Sequence, residues 1–318
     1  MKVYVETQYL REENIQEIRS VCEACGYELG LFHSPQDPGC DLSDCEVLYC
    51  TRPFSLQQVP RLRWCHSASA GVGGFVISGV FDSGDVILTN SSGAYGRAIS
   101  EHVIMVTLMM LRKMPEYRKI VDAHQWKRDL PIRTIADSRI AIVGTGDIGR
   151  STAGLFRSLG AKSVIGFNRR GRAVEQFDQI YTMSGFTQHV SDIDILVMCV
   201  PGTPATDGLL SAERIAALPE TAYVINVGRG SSIDQDALIR ALNDGKIAGA
   251  ALDVVVPEPL PPDHPLWTTR NCLLTTHTSG DMGLPYTIDR TVEFFCENLR
   301  RFAAGEELIK VIDPKTGY

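Results

Sequence analysis

Short apolar runs alternate with longer stretches whose apolar positions recur every three or four residues, along almost the whole chain. Val3-Tyr4-Val5 reads as a strand, and residues 14–25 carry helical spacing. Residues 46–50 and 62–67 read as further buried strands, so the first hundred residues predict a parallel sheet with crossover helices. Ser91-Ser92-Gly93-Ala94-Tyr95-Gly96 is a turn-rich break, and residues 97–121 after it predict one long apolar helix bridging two domains. The pattern then restarts. Residues 140–143, 163–167, 195–200, 223–227, 249–254 and 273–276 predict strands, and residues 148–159, 211–218 and 234–244 predict helices. A last amphipathic helix over residues 290–303 is expected to return to the first domain, making that domain discontinuous.

Composition narrows the class. A chain of 318 residues has material for two domains, and its 44% hydrophobic and 22% charged residues exclude disordered and collagenous classes. Lys and Arg number 31 against 38 Asp and Glu, a net charge of −7, so neither nucleic acid nor an anionic membrane surface is an expected partner. The most apolar stretch, residues 103–111, has about half the length that a bilayer span requires. The first residues lack the apolar core of a signal peptide, and nine cysteines, an odd number, suit a reducing compartment; the cytoplasm is the expected location.

Gly144-Thr145-Gly146-Asp147-Ile148-Gly149 follows a predicted strand and opens a predicted helix, the context in which G-x-G-x-x-G signifies a dinucleotide site. Gly144 permits the tight turn, Gly146 lets a pyrophosphate approach the backbone, and Gly149 lets the helix pack closely. Asn168, nineteen residues after Gly149, stands where an acid usually binds the ribose diol of NAD. A neutral Asn followed by Arg169, Arg170 and Arg172 would instead attract a 2′-phosphate, so NADP(H) is expected over NAD(H).

Arg229, Glu258 and His277 each lie just beyond a predicted strand end, where open α/β sheets bind ligands. In this order, after this glycine loop, they resemble the D-isomer-specific 2-hydroxyacid dehydrogenase family. The resemblance runs from about Cys65 to Phe295. It includes Ser69-Ala70-Gly71-Val72-Gly73, Ile99-Ser100-Glu101-His102-Val103, Val200-Pro201-Gly202-Thr203-Pro204-Ala205-Thr206 and Ala251-Leu252-Asp253-Val254. Asn168 is its one marked departure.

The resemblance implies two doubly wound α/β domains. A Rossmann dinucleotide-binding domain (97–285) would be inserted in a discontinuous flavodoxin-like substrate domain (1–96 and 286–318). It implies hydride transfer between a nicotinamide cofactor and a small 2-oxo or D-2-hydroxy acid, such as glyoxylate or hydroxypyruvate. Arg229 would clamp the carboxylate and C2 oxygen, and His277 would act as acid in reduction and base in oxidation. Glu258 would orient the imidazole and favour its protonated form. Asp253 would bind the nicotinamide carboxamide. Gly144, Gly146, Asp147, Ile148, Gly149, Asn168, Arg169, Arg170, Val200, Pro201, Thr206, Val227, Gly228 and Gly280 would line the cofactor. Ala70 and Gly71 would hold the substrate carboxylate through their backbone, and Arg52 would add charge there. The domains would close on the ternary complex. A homodimer around residues 97–121 is also implied, with Trp126 in its interface.

Two rival readings share this pattern: a phosphoglycerate-type NAD dehydrogenase in a short form, and a dinucleotide-sensing corepressor or scaffold. Cys22-Glu23-Ala24-Cys25 lies in a helical pattern without a second CxxC, so no metal is expected and these thiols read as buried structure. Cys199 reads as packing, and His102 as a helix–helix contact.

Overall fold

The computed structural model describes residues 1–34, 40–55, 57–77 and 86–313. The chain divides into two compact units. Unit 1 comprises Met1–Tyr95 and Asp281–Tyr318, and unit 2 comprises Gly96–Gly280.

Unit 1 opens with β1 (Lys2–Glu6), α1 (Glu12–Ala24), β2 (Glu28–Phe32), β3 (Val47–Cys50), β4 (Trp64–Ser67), α2 (Gly73–Ile77) and β5 (Ile87–Asn90). Its sheet has the order β2-β1-β3-β4-β5, with every pairing parallel. That is the flavodoxin-like order, which reverses direction between β1 and β3. Successive strand residues face opposite sides, and both sides are covered. Leu48, Cys50, Cys65 and Leu88 join one apolar cluster, while Val3, Val5, Val47, Tyr49 and Trp64 join another. Covering both faces is why these strands read as unbroken apolar runs.

Unit 2 begins with α3 (Gly96–Leu111) and α4 (Met114–Asp122). It continues through β6 (Arg139–Val143), α5 (Asp147–Ser158), β7 (Ser163–Phe167), β8 (Gln179–Tyr181), α6 (Phe186–His189), β9 (Ile195–Met198) and α7 (Ala212–Ala216). It ends with β10 (Tyr223–Asn226), α8 (Gln235–Asn243), β11 (Gly249–Leu252) and β12 (Cys272–Leu274). The parallel sheet runs β12-β11-β10-β9-β6-β7-β8 and reverses between β6 and β9. The loops leaving these two strands carry the glycine motif and Val200 to Thr206. This is the doubly wound Rossmann architecture, with the predicted ligand loops at its switch point. Gly96 lets the start of α3 approach α5, since a Cβ there would crowd Asp147 and Ser151.

The chain returns to unit 1 as α9 (Pro285–Ala304), which starts five residues before the predicted helix. Val292, Phe295, Cys296 and Leu299 on α9 are fully buried in the Val3–Trp64 cluster. The Phe295 ring centroid lies 5.0 Å from Tyr49, 5.3 Å from Trp64 and 5.6 Å from His66.

The single long helix expected over residues 97–121 is two helices. Pro115 has no N–H to donate, and its ring would collide with the carbonyl of Leu111, where α3 stops. Lys113 turns the chain in the left-handed region, with φ 55°. Three strands escaped the sequence reading, β2, β5 and β8, and all are sheet edges. Exposed along this helical pair are Met105, Leu108, Met114 and Val121, with Trp126 (94% exposed) and Ile132 in the following segment. No helix among the described residues is long and apolar enough to cross a membrane.

Phe295→Ala would remove the ring that ties α9 to β3 and β4. Denaturant unfolding should show unit 1 destabilised by about 3–5 kcal/mol, the usual cost of a fully buried Phe; a change within error would mean that α9 contributes little to this core.

Candidate functional site

The glycine loop is built as a cradle. Gly144 has φ +96°, and a Cβ on it would stand 2.7 Å from Cys199 O, so the loops leaving β6 and β9 touch through it. A Cβ on Gly149 would collide with Gly144 O, whereas beside Gly146 there is open space. Helix α5 starts at Asp147 without a side-chain cap hydrogen bond, while α7 and α8 are capped by Ser211 and Asp234. Its first amides therefore offer an anion-binding N-terminus. An open glycine face beside uncapped amides fits a dinucleotide pyrophosphate. The Asp147 Oδ2 is buried without a hydrogen-bond partner, on the side facing Gly96. Ile148 is half-buried beside it.

Asn168 frames the arginine turn. Its Nδ2 donates to Thr145 Oγ1 at 3.1 Å and to Arg172 O at 2.9 Å; its Oδ1 accepts from the amides of Arg170 and Arg172. The side chain thus ties the turn to the glycine loop, and Arg169 and Arg170 are exposed on that turn. An Asp would lose both donated bonds. Thr145 was not singled out from the sequence, where nothing distinguishes it from any other loop threonine.

Between β9 and α7, Thr206 closes its loop by donating to Pro201 O at 2.6 Å, after a buried Val200. A Cβ on Gly228 would stand 2.6 Å from Val200 O, so the loop leaving β10 packs on this one, behind a buried Val227. Arg229 follows, lying over Gly202 with its Nη1 donating to Gly228 O at 2.6 Å. Burial lowers its pKa and the charge of Glu258 opposes that, which places the guanidinium in the field of Glu258.

His277 and Glu258 meet: His277 Nδ1 lies 2.7 Å from Glu258 Oε2. Half the His277 side chain is exposed, so the pair adds little stability, and its consequence is the orientation of the imidazole. His277 sits at φ 58°, a conformation that few side-chain-bearing residues adopt. Asp253, 3% exposed, holds it there. His277 N donates to the Asp253 carbonyl at 2.8 Å. The Asp253 carboxylate accepts from Thr275 Oγ1 (2.6 Å), Thr278 N (2.9 Å) and Ser279 N (3.0 Å). Burial opposes its charge, but the hydrogen bonds from Ser279, Thr275 and the Thr278 amide outweigh burial and hold its pKa below the usual carboxylate value. Gly280 ends this loop, half-buried. His102, expected at a helix–helix contact, instead lies 3.3 Å from Thr275 Oγ1 on the same loop. Burial lowers its pKa.

In unit 1, Arg52 is exposed after β3, and Ala70 and Gly71 follow β4. Asn90 Nδ2 donates to Ala70 O at 2.7 Å, and Tyr95 donates to Ala68 O at 2.7 Å, so the carbonyls of this loop are tied down. Behind it His66 is fully buried between Thr89 and Ser91, and burial pushes its pKa down to about 3, leaving a neutral strut. Cys22, in the CxxC, is buried with its thiol pushed up to about 12. Among the described residues no three His, Cys, Asp or Glu side chains are grouped to hold a metal.

The sequence model of "D-isomer specific 2-hydroxyacid dehydrogenase, NAD binding domain" matches residues 104–279. The chain belongs to the D-isomer-specific 2-hydroxyacid dehydrogenase family, and is an oxidoreductase of CH–OH donors using a nicotinamide cofactor. It is 29% identical to a glyoxylate/hydroxypyruvate reductase A of Serratia proteamaculans over 81% of this chain and 82% of that one. It resembles the crystal structure of a D-isomer specific 2-hydroxyacid dehydrogenase from Xanthobacter autotrophicus in complex with NADPH and MES, with a TM-score of 0.82, 29% identity, and 100% and 99% of the chains covered. It also resembles an NADPH-dependent glyoxylate/hydroxypyruvate reductase from Sinorhizobium meliloti in complex with NADP and sulfate, with a TM-score of 0.81, 27% identity and the same coverage.

Asp253→Asn should destabilise unit 2 by about 1–3 kcal/mol, because an amide donor would face loop amides. The folded pKa of Asp253 is depressed, so its charge stabilises above the unfolded carboxylate value and that contribution fades as pH falls through the folded one. Urea unfolding of both proteins across that range should show the gap closing toward acid; a pH-independent gap would assign the loss to packing.

Proposed function

We propose that the protein is an NADP(H)-dependent reductase of small 2-oxo acids of the glyoxylate and hydroxypyruvate kind. The observation that carries this reading is the Glu258–His277 pair at 2.7 Å beside the half-buried Arg229. The names of the Serratia and Sinorhizobium relatives support the substrate class. NADP(H) in two structural relatives and the Asn168-framed arginines support the cofactor, with NAD(H) the weaker alternative.

The residues of the glycine loop, with Val200, Pro201, Thr206, Val227, Gly228 and Gly280, hold the dinucleotide, and Arg169 and Arg170 take its 2′-phosphate. Bound there, the nicotinamide supplies a hydride to C2 of the oxo acid. Asp253 receives the carboxamide while its loop stays pinned. Arg229 grips the carboxylate and the C2 oxygen together, a planar fork matched to that geometry. His277, protonated, gives its proton to the developing alkoxide, and Glu258 holds the opposite ring nitrogen. Unit 2 is thus the dinucleotide domain. Unit 1 is the substrate domain, where the Ala70 and Gly71 amides bind the carboxylate and Arg52 adds positive charge. The exposed strip of Met105, Leu108, Met114, Val121 and Ile132 is covered by a second copy of the chain.

Reduction requires the imidazolium, so its rate should fall as pH rises through the apparent titration of the site, and Glu258→Gln should alter that profile and lower kcat. Glyoxylate and hydroxypyruvate should be reduced with NADPH in preference to NADH. Arg169→Ala/Arg170→Ala should erode that preference by roughly tenfold or more, the worth of one charged phosphate contact. NADH preference in the wild type would overturn the cofactor assignment, and no turnover of any 2-oxo acid would overturn the reductase. In sedimentation the wild type should run as a dimer and Met105→Glu/Leu108→Glu as a monomer; a monomeric wild type would exclude the covered strip.

A further inference from the structure

Glu258 lies on irregular, exposed backbone between β11 and β12, yet one of its oxygens must meet one ring nitrogen of His277. An exposed side chain on unsupported backbone samples many geometries. The support comes from the segment that follows Arg229. A Cβ on Gly230 would collide with the Val255 backbone, so the two stretches lie in contact. At the first position of α8, Gln235 makes a two-way contact with Val256. Its Nε2 donates to Val256 O at 2.6 Å, and Val256 N donates to its Oε1 at 3.0 Å. The neighbouring Val255 N donates to Glu258 Oε1 at 3.0 Å, which leaves Oε2 for His277.

We infer that Gln235 is the positioning residue that sets where Glu258 meets His277. Its role rests on the reading of His277 as the proton donor, and it acts through the Val255–Val256 backbone. The chemistry requires an amide. Glutamine offers a donor and an acceptor at once, whereas Glu offers acceptors only and Met neither. The same short segment, Arg229 to Gln235, therefore carries the carboxylate clamp and the frame for the acid–base pair. The charged and titratable groups set around this frame are Arg229 in the field of Glu258, Asp253 beneath the His277 backbone, and His264, whose Nε2 lies 3.4 Å from Gln235 Nε2.

The test compares wild type, Glu258→Gln, Gln235→Met and the double variant in two ways: NADPH-dependent glyoxylate reduction against pH, and titration of the His277 ring followed by NMR. Gln235→Met should lower kcat roughly tenfold with KM nearly unchanged, the cost of a slightly misplaced catalytic group. Its pH fall and its imidazole titration should both move in the direction set by Glu258→Gln. In the double variant Gln235→Met should add less than a further twofold, because residues acting through one contact are not additive. Gln235→Glu, which keeps the acceptor for Val256 N, should fall between wild type and Gln235→Met, and it serves if the Met variant does not fold. An unmoved titration in Gln235→Met beside a moved one in Glu258→Gln, or additive losses, would overturn the inference alone. An unmoved titration in Glu258→Gln would instead overturn the reading of the acid–base pair, and the inference with it.

Discussion

A carboxylate that is 3% exposed must direct its lone pairs inward, and Asp253 directs them at the loop that carries His277. Two amides and one hydroxyl converge on its side chain, and its own carbonyl takes the His277 amide. That set of bonds outweighs the burial opposing the charge and offsets the unfavourable φ of His277. Without it, a histidine on a short irregular loop would have no defined direction. The contact of His277 with Glu258 rests on that anchoring.

The rest of unit 2 is braced in the same manner, by close approaches rather than by large side chains. Gly144 lies against the Cys199 carbonyl, Gly228 against Val200, and Gly230 against Val255. Each contact joins loops leaving neighbouring strands, so the carboxyl edge of the sheet is stitched laterally. A parallel sheet places all such loops on one edge, which is why the glycine loop and the His277 loop, distant in the chain, leave the sheet on the same side. The His277–Glu258 pair is half-exposed and contributes little to stability; the buried Asp253 and the rigid apolar sheet beneath give it precision.

Most of this architecture was legible from the chain. Strands covered on both faces produce runs such as Ile140-Ala141-Ile142-Val143, which no half-exposed element imitates. The strands that escaped notice, β2, β5 and β8, form sheet edges; β2 and β8 are only partly buried, and β5 buries the polar Thr89 and Asn90, which break an apolar run. The broken helix after Leu111 was also present in the sequence, in Pro115, but the unbroken apolar spacing around it masked the signal. For the arginine turn, charge and position suggested a ligand role, yet they did not show that Asn168 uses both ends of its amide to frame the turn.

The two α/β units and the strand–glycine loop–helix unit follow from the sequence, and so does the choice of candidate reacting groups, because these depend on local spacing and on the order of strand ends. Which partner each polar group takes is set by tertiary packing alone. That His102 reaches Thr275, that Asn168 holds Thr145, and that Gln235 holds Val256 are contacts between segments separated in the chain. A hydrogen bond is directional and short-ranged, so its partner is set by how the loops pack, and no periodicity in the chain encodes that.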